Sequence, residues 1–229
     1  MSRKLNKERK RTIQLVAHSN PESPITEQYR LIRNNIHFSS VDTIIKSIVV
    51  TSAESGDGKS TTAANLAIVL AQNGKNVLLV DADLRKPTVH YAFSISNLNG
   101  ITSVLTKDSS LDMAVTRCDI PNIDILTSGP IPPNPSELLD SQAMHLIMEK
   151  VKDCYDYIIY DSPPILAVTD SQTIASKCDG VVMVIGSGKT HKEQALKAKT
   201  LLEKAGSRII GVVINGVEEK MTGYYGHYG

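Results

Sequence analysis

The stretch from Ser47 to Asn65 constrains this chain most, because it joins a short apolar segment to a helix through a glycine-containing turn. Ile48 to Thr51 are apolar or β-branched, which is typical of a buried strand. The turn Ser52 to Gly58 follows, and a helix is expected from Lys59 to about Gln72. In such a turn the backbone N–H groups can point inward, and the helix N-terminus adds its positive dipole end. The pattern predicts a phosphate-binding loop.

The loop matches the motif G-x-x-x-x-G-K-[ST] except at its first position, where Ala53 replaces glycine. A methyl group at that position need not face the phosphates. The Lys59 ammonium can reach the β- and γ-phosphates, and the Ser60 hydroxyl can ligate Mg²⁺. The predicted nucleotide contacts in the loop are Ser55, Gly56, Asp57, Gly58, Lys59, Ser60 and Thr61. A chance G-K-S at an ordinary helix start is the alternative, but the preceding strand and the following helix favour a nucleotide site.

Acidic residues end two other apolar segments. Val77 to Val80 is expected to be a strand that ends in Asp81 and Asp83, and Tyr157 to Tyr160 one that ends in Asp161. The second arrangement is that of a Walker B element, whose carboxylate holds Mg²⁺. Open α/β sheets place their chemistry at the carboxyl ends of the strands, so these acids are candidate site residues. Turn formation or capping by aspartate is the alternative in both places.

Further apolar segments indicate the fold class. We expect strands at 123–126, 180–185 and 209–214, the last two buried and separated by a basic helix at 189–205. A helix is expected from Ser136 to about Asp153, and residues 88–122 are interpreted as a helical, polar stretch. Strands that alternate with helices predict an α/β fold, a P-loop NTPase-like parallel sheet with helices on both faces.

Composition narrows the class of protein. With 229 residues and 41% hydrophobic content, the chain can bury one core. The net charge of +1 argues against a general nucleic-acid binder, so no nucleic-acid partner is expected. Three cysteines without a C-x-x-C spacing indicate neither a disulfide framework nor a zinc site. No segment approaches the ~18 consecutive apolar residues of a membrane span.

The two ends differ from the middle of the chain. Residues 1–22 are expected to form a basic N-terminal tail without the apolar segment of a signal peptide, either solvated or in contact with anionic lipid or an acidic partner. Residues 218–229 are expected to form a flexible tyrosine-rich tail. Its glycine-spaced tyrosines, Tyr224, Tyr225 and Tyr228, suggest a phosphorylation substrate, although terminal aromatic residues can instead dock on their own domain. The domain between the tails is predicted to span residues 23–217.

A helix over residues 26–38, capped by Ser23 or Thr26, precedes the phosphate loop. Two sets of residues lie on different faces of this helix. The first set is Glu27, Arg30 and Arg33, and the second is Tyr29, Ile32 and Ile36, which we expect to pack on the core. On spacing alone, the charged set is explained by a solvent face that pairs with itself.

Five motifs in this order carry a resemblance from about Glu22 to the C-terminus. They are EQYRLIRNN, AESGDGKS, VLLVDADLRKP, YIIYDSPP and the terminal tyrosine cluster. The chain closely resembles the bacterial tyrosine kinases of capsular and exopolysaccharide synthesis. More narrowly, it resembles their Gram-positive form, in which the kinase and its membrane activator are separate polypeptides.

The resemblance implies a role for each matching residue. Lys59 binds phosphates, and Asp81 is the proposed base for the incoming tyrosine hydroxyl, so that Asp81, Lys59 and Asp83 form the catalytic set. The implied Mg²⁺ residues are Ser60, Asp83 and Asp161, and Asn215 matches a position that meets adenine in related ATPases. Glu27, Arg30 and Arg33 match a motif that joins subunits into a ring, which replaces the self-paired solvent face as our expectation.

The resemblance also implies a function. It is that of an ATP- and Mg²⁺-dependent autokinase, whose subunits phosphorylate one another's tail tyrosines within a homo-oligomeric ring and thereby regulate polysaccharide synthesis or export. The implied partners are the cytoplasmic tail of a membrane chain-length regulator, a cognate tyrosine phosphatase and other tyrosine-phosphorylated proteins. The implied location is the cytoplasm, with recruitment to the inner face of the cell membrane by the activator.

Two alternatives stay open at this point. One is a dimerising ATPase switch like the partitioning and septum-placement ATPases, ParA and MinD. Those proteins carry a signature lysine where this chain has Glu54, and they use it across a dimer, so Glu54 argues against this reading. The other is a regulatory module that signals through nucleotide-bound ring assembly.

Overall fold

The computed structural model describes residues 13–39 and 44–217. The helices in these ranges are α1 Val16–Ser19, α2 Pro24–Ser39, α3 Lys59–Ala71, α4 Val89–Ala92, α5 Ile101–Leu105, α6 Leu111–Ala114, α7 Pro135–Asp140, α8 Gln142–Cys154, α9 Asp170–Ala175 and α10 Lys192–Lys204. The strands are β1 Ser47–Ser52, β2 Val77–Asp81, β3 Val115–Arg117, β4 Ile123–Leu126, β5 Tyr157–Asp161, β6 Gly180–Gly186 and β7 Ile209–Asn215. Within the described ranges, the helices are too short or too polar to cross a bilayer.

The strands form one sheet in the order β3-β4-β2-β5-β1-β6-β7. Every neighbouring pair is parallel except β3 and β4, which are antiparallel. The predicted P-loop NTPase-like sheet is therefore confirmed, with one correction. Residues 88–122, interpreted as a helical, polar stretch, contain α4, α5 and α6 but also β3, a three-residue edge strand that is too short to show an alternating pattern.

Two apolar cores cover the two faces of the sheet, as predicted. One contains α1, α2 and most of α3, and the other contains α5, α8, α9 and α10. The central strands β1, β2 and β5 are buried along nearly their whole length, because helices pack on both sides of them. This burial sets the carboxyl ends of these three strands at one edge of a rigid sheet.

Two further predictions need correction. The helix expected from Ser136 to Asp153 is two helices, because Ser141 is extended between α7 and α8 and its Oγ accepts a hydrogen bond from the backbone N–H of Met144 at 3.2 Å. The strand β7 was expected to be buried, and that prediction is wrong. It is an edge strand, and the side chains of Val212 and Ile214 are more than half exposed.

The structured domain begins earlier than the predicted boundary at residue 23. Ile13 and Ala17 are buried in the core beside α3. Asn65 of α3 accepts a hydrogen bond from the backbone N–H of Ala17 at 2.9 Å and donates to the Gln14 carbonyl oxygen at 2.7 Å. The sequence places residues 13–22 in the basic tail, because the few apolar residues there do not show which contacts they make. Residues 1–12 and 218–229, including Tyr224, Tyr225 and Tyr228, lie outside the described residues.

The helix before the phosphate loop begins at Pro24, two residues before the predicted range. Ser23 acts as its cap, because its Oγ accepts a hydrogen bond from the backbone N–H of Thr26 at 3.1 Å. Tyr29 and Ile36 are buried and Ile32 packs beside them, so the prediction of a core-facing side is confirmed.

Candidate functional site

The turn between β1 and α3 has the shape predicted for a phosphate loop. Gly56 and Gly58 adopt positive φ angles of 82° and 101°, in a backbone region that residues with a Cβ atom rarely adopt. Gly58 also lies against Asn215, since a Cβ atom at this position would come within 2.0 Å of Asn215 Nδ2. Ala53 is fully buried in the apolar core, so its methyl group does not obstruct the loop.

Side chains hold the loop from within and from β7. Asp57 accepts a hydrogen bond from the backbone N–H of Glu54 at 2.9 Å, and its own carbonyl oxygen accepts one from Asn215 Nδ2 at 2.9 Å. Asn215 at the end of β7 therefore lies beside the loop. Its contact with adenine stays a prediction.

Lys59 and two acids come together at the carboxyl ends of the central strands. Lys59 Nζ lies 3.0 Å from Asp83 Oδ2 and 3.3 Å from Asp161 Oδ1, and it donates to Ser60 Oγ at 3.1 Å. Burial lowers the pKa of Lys59, but the negative charges of Asp161 and Asp83 outweigh that effect and the net pKa is raised. Lys59 is therefore protonated at neutral pH.

Asp81 lies next to Asp161 across the paired strands β2 and β5, and it is fully buried. Its Oδ2 accepts hydrogen bonds from the backbone N–H groups of Thr88 and Val89, each at 3.0 Å, and its Oδ1 accepts one from Asp83 at 3.3 Å. Burial, together with the charge of Asp161, raises the pKa of Asp81 to about 8. Asp81 thus shapes the turn after β2 in addition to any chemical role.

The donor set fits a magnesium ion. Asp161 is fully buried, and its Oδ2 accepts no hydrogen bond from the described residues. An orphaned carboxylate oxygen is costly in a protein interior unless a cation or water satisfies it. The predicted metal residues Ser60, Asp83 and Asp161 all surround Lys59 and offer the oxygen ligands that Mg²⁺ prefers. Their role as metal ligands stays a prediction.

A cavity of about 520 Å³ opens beside this cluster. Its lining residues are Ser55, Gly56, Gly58, Lys59, Ser60 and Thr61 on the loop side, and Ile13, Asp83, Arg85, Lys86, Thr88, Pro163, Pro164, Ala167 and Val168 elsewhere. Asp81 does not line it. Of the lining residues outside the loop, Asp83 was predicted from the sequence and the others were not. Arg85 and Lys86 carried a signal, since they follow Asp81 and Asp83 closely in the chain. Arg85 is held by Asp170 through two hydrogen bonds, of 2.9 and 3.2 Å.

The charged face of α2 pairs within the same chain. Arg30 forms an ion pair with Glu27, and Arg33 donates through Nη1 to the Val69 carbonyl oxygen of α3 at 3.1 Å. The Glu27–Arg30 pair therefore has the geometry expected for a solvent-exposed face whose charges pair with one another. The role of this face in joining subunits stays a prediction.

We expect Gly58→Ala to abolish nucleotide binding and to lower the free energy of unfolding by about 1–3 kcal/mol, because the Cβ atom meets Asn215 in a strained backbone conformation. Gly206→Ala is the matched control, since Gly206 also has a positive φ, of 72°, but a Cβ atom there meets nothing within 4 Å. Thermal melts and titration with a fluorescent ADP analogue test both. Equal effects of the two substitutions would show that backbone strain alone matters.

These features together define a class of protein. The strand, the glycine turn and the Lys59-Ser60 helix start, with acids at the ends of two neighbouring strands, are those of a P-loop NTPase-like domain. Residues 45–210 match the AAA-domain family, which accords with this class. The fold therefore implies that the chain binds a nucleotide.

Comparison with known proteins narrows the class. Tyrosine-protein kinase YwqD of Bacillus subtilis (strain 168) is 54% identical over 94% of this chain and 91% of its own length. The putative tyrosine-protein kinase CapB of Staphylococcus aureus is 40% identical over 94% of this chain and 95% of its own. The crystal structure of the chimerical protein CapA2B2 superposes with a TM-score of 0.85 at 44% identity, covering 87% and 88% of the two chains. The chain belongs to the bacterial tyrosine-protein kinases, in their Gram-positive, capsule-related branch.

Proposed function

We propose that the chain transfers the γ-phosphoryl group of ATP to Tyr224, Tyr225 and Tyr228 of a neighbouring copy of itself. The acceptor oxygen bonds to the γ-phosphorus, the bond from that phosphorus to the β-bridging oxygen breaks, ADP leaves and the hydroxyl proton is released. The observation that carries the proposal is Lys59, which is held by two carboxylates where the phosphate loop lines a cavity of about 520 Å³.

The loop and Lys59 position the donor. The loop N–H groups and Lys59 bind the β- and γ-phosphates, so Lys59 exchanges carboxylate oxygens for phosphate oxygens when the nucleotide binds. Ser60, Asp83 and Asp161 would hold Mg²⁺, which would neutralise the phosphate charge when bound. Asn215 is proposed to contact the adenine, which its place beside the loop supports.

Asp81 is proposed to orient the acceptor hydroxyl and to take its proton late. Phosphoryl transfer passes through a loose transition state, so orientation of the nucleophile matters more than a strong base. An ordinary aspartate matches a tyrosine hydroxyl poorly, since the pKa of tyrosine is about 10. The pKa of about 8 in the nucleotide-free site narrows that gap, but it also means that Asp81 must lose its own proton before it can take one from the tyrosine. Asp81 must become accessible for this role, because it is fully buried here.

Assembly and partners complete the proposal. Glu27, Arg30 and Arg33 join subunits into a ring, which allows one tail to enter the neighbouring site. The exposed position of Glu27 supports this assignment. The cytoplasmic tail of a membrane chain-length regulator activates the kinase and recruits it to the inner face of the cell membrane. A cognate phosphatase removes the phosphate, other proteins are further substrates, and the output is control of capsular or exopolysaccharide synthesis.

No second function is favoured. Glu54 stands where the dimerising cargo ATPases carry their lysine, and its Oε1 accepts a hydrogen bond from Gln194 Nε2 of the same chain at 2.6 Å. Glu54 carries the opposite charge to that lysine and is hydrogen-bonded within its own subunit. It therefore cannot make the contact that the lysine makes across a dimer.

Intact mass and phosphosite mapping of the purified full chain with MgATP test the proposal, with and without the cytoplasmic peptide of the activator. We expect phosphate on the tail tyrosines and more of it with the peptide. The matched control changes Tyr224, Tyr225 and Tyr228 together to phenylalanine, which removes the acceptor hydroxyls and keeps the rings. ATP hydrolysis without phosphotyrosine under either condition would instead establish the ATPase switch.

A further inference from the structure

Lys189 contacts the outer side of the phosphate loop, although it lies 134 residues further along the chain. It belongs to the turn between β6 and α10. Its Nζ donates to the Ser55 carbonyl oxygen at 3.0 Å and lies 3.7 Å from Asp57 Oδ1. The side chain is 42% exposed, so the ammonium group stays partly solvated while it contacts the loop. The nucleotide roles assigned above do not use this residue.

Asp57 is unfavourable for nucleotide binding unless its charge is offset. Its side chain is fully buried, two residues before Lys59, inside a loop that must hold a polyanion. Its Oδ2 accepts the Glu54 N–H, but its Oδ1 accepts no hydrogen bond from the described residues. Among those residues, Lys189 is the cation within 4 Å of the Asp57 carboxylate. A buried carboxylate without this cation would repel the incoming phosphates.

The backbone at the end of β6 positions Lys189 beside Asp57. Gly186 packs against Asp57, and a Cβ atom at Gly186 would lie 3.0 Å from Asp57 Oδ1. The Gly186 N–H donates to Thr190 Oγ1 at 3.0 Å, which closes the turn that presents Lys189. The hydrogen bond from Gln194 to Glu54 attaches α10 to the same loop.

We propose that Lys189 is a positioning residue for the nucleotide, resting on the nucleotide site of the proposed function. It neutralises the buried charge of Asp57 and fixes the Ser55 carbonyl outward, so that the loop N–H groups stay directed at the phosphates. It acts through the loop and does not touch the reacting atoms. Nucleotide affinity in this chain therefore depends on a second lysine from a distant turn as well as on Lys59.

Titration of the full chain with a fluorescent ADP analogue tests the proposal. We expect Lys189→Met to raise the Kd roughly tenfold, since a charged hydrogen bond and an ion pair are lost. The KM for ATP should rise with it while kcat changes little, because the contact is the same in ground and transition states. Lys189→Arg should recover part of the affinity. Lys192→Met is the control, because Lys192 is exposed at the start of α10, just after this turn, and the substitution should leave the Kd unchanged.

A double substitution separates charge neutralisation from mere support of the backbone. Asp57→Asn removes the buried charge and keeps an oxygen for the Glu54 N–H. We expect Lys189→Met with Asp57→Asn to bind more tightly than Lys189→Met alone. The inference about Lys189 would be overturned if the double variant bound no more tightly than Lys189→Met, or if Lys189→Met left the Kd unchanged. In either case, binding of the analogue by the wild type would still support the nucleotide site. Failure of the wild type to bind the analogue would overturn both.

Discussion

Lys59→Met is expected to lower tyrosine phosphorylation of the chain by about 10³-fold or more, the range found when a transition-state cation is removed from a phosphoryl-transfer site. Lys59 is the group that links the loop to Asp83 and Asp161, at 3.0 and 3.3 Å. Methionine has a similar length but no charge, so neither the phosphates nor the developing charge on the bridging oxygen is stabilised. Intact mass after incubation with MgATP measures the effect.

The same substitution leaves two buried carboxylates without their cation, so loss of folding must be separated from loss of chemistry. We expect the free energy of unfolding to fall by about 3 kcal/mol. Lys59→Arg is the paired variant, since it keeps the charge but presents it in a planar fork, and it should recover stability more than transfer. Wild-type levels of tail phosphorylation in a folded Lys59→Met protein would contradict the assigned role.

Asp81→Ala is expected to reduce phosphoryl transfer by about 10²–10⁴-fold while MgATP binding is retained. The structure adds a second consequence, because three backbone N–H groups lose their acceptor. We therefore expect the free energy of unfolding to fall by about 3 kcal/mol. Asp81→Asn keeps one carbonyl oxygen for these groups and should lose transfer with a smaller loss of stability. If ATP affinity collapses in both variants, Asp81 is chiefly a metal-site residue.

The pH dependence of stability checks the environment of Asp81 without any nucleotide. Its pKa is about 8 in the folded protein, above the ordinary value of 3.8, so the folded state binds the proton more tightly than the unfolded state. This contribution to stability is fully present below pH 3.8 and is lost as the pH rises towards 8. Denaturant melts at pH 5 and pH 8 should show a smaller difference for Asp81→Asn than for the wild type. An equal difference would show that Asp81 is charged at pH 5.

Much of the candidate site could be predicted from local patterns. β4 has the predicted bounds, β2, β5 and α3 differ from the prediction by one residue at one end, and β1 differs by one residue at each end. The apolar segments that form these elements are followed by glycine, by aspartate or by the Lys-Ser pair. These signals involve only a few neighbouring residues, so the sequence shows them directly. The positions of Asp83 and Asp161 after strands, where an open α/β sheet places its chemistry, were also predicted, but their ion pairs with Lys59 were not.

What the sequence missed depends on contacts between distant residues. The burial of Ile13 and Ala17 depends on Asn65 and other α3 residues, and the exposure of β7 depends on its place at the sheet edge. Neither leaves a periodic signal in its own segment. The break between α7 and α8 at Ser141 is a local feature. A serine hydroxyl, however, can either cap a helix or lie within one, and tertiary packing selects between the two.

The amino-acid sequence by itself determined the class of fold, the phosphate loop and the identity of its lysine, because strand, turn and helix signals are set by neighbouring residues. Only the tertiary structure decided that Asp81 is buried under three backbone N–H groups and that Lys189 stands over Asp57. Both arrangements depend on which groups share a desolvated space. The groups that surround a buried carboxylate determine whether it is charged and whether its charge is offset. Those groups come from distant parts of the chain, so the order of residues does not identify them.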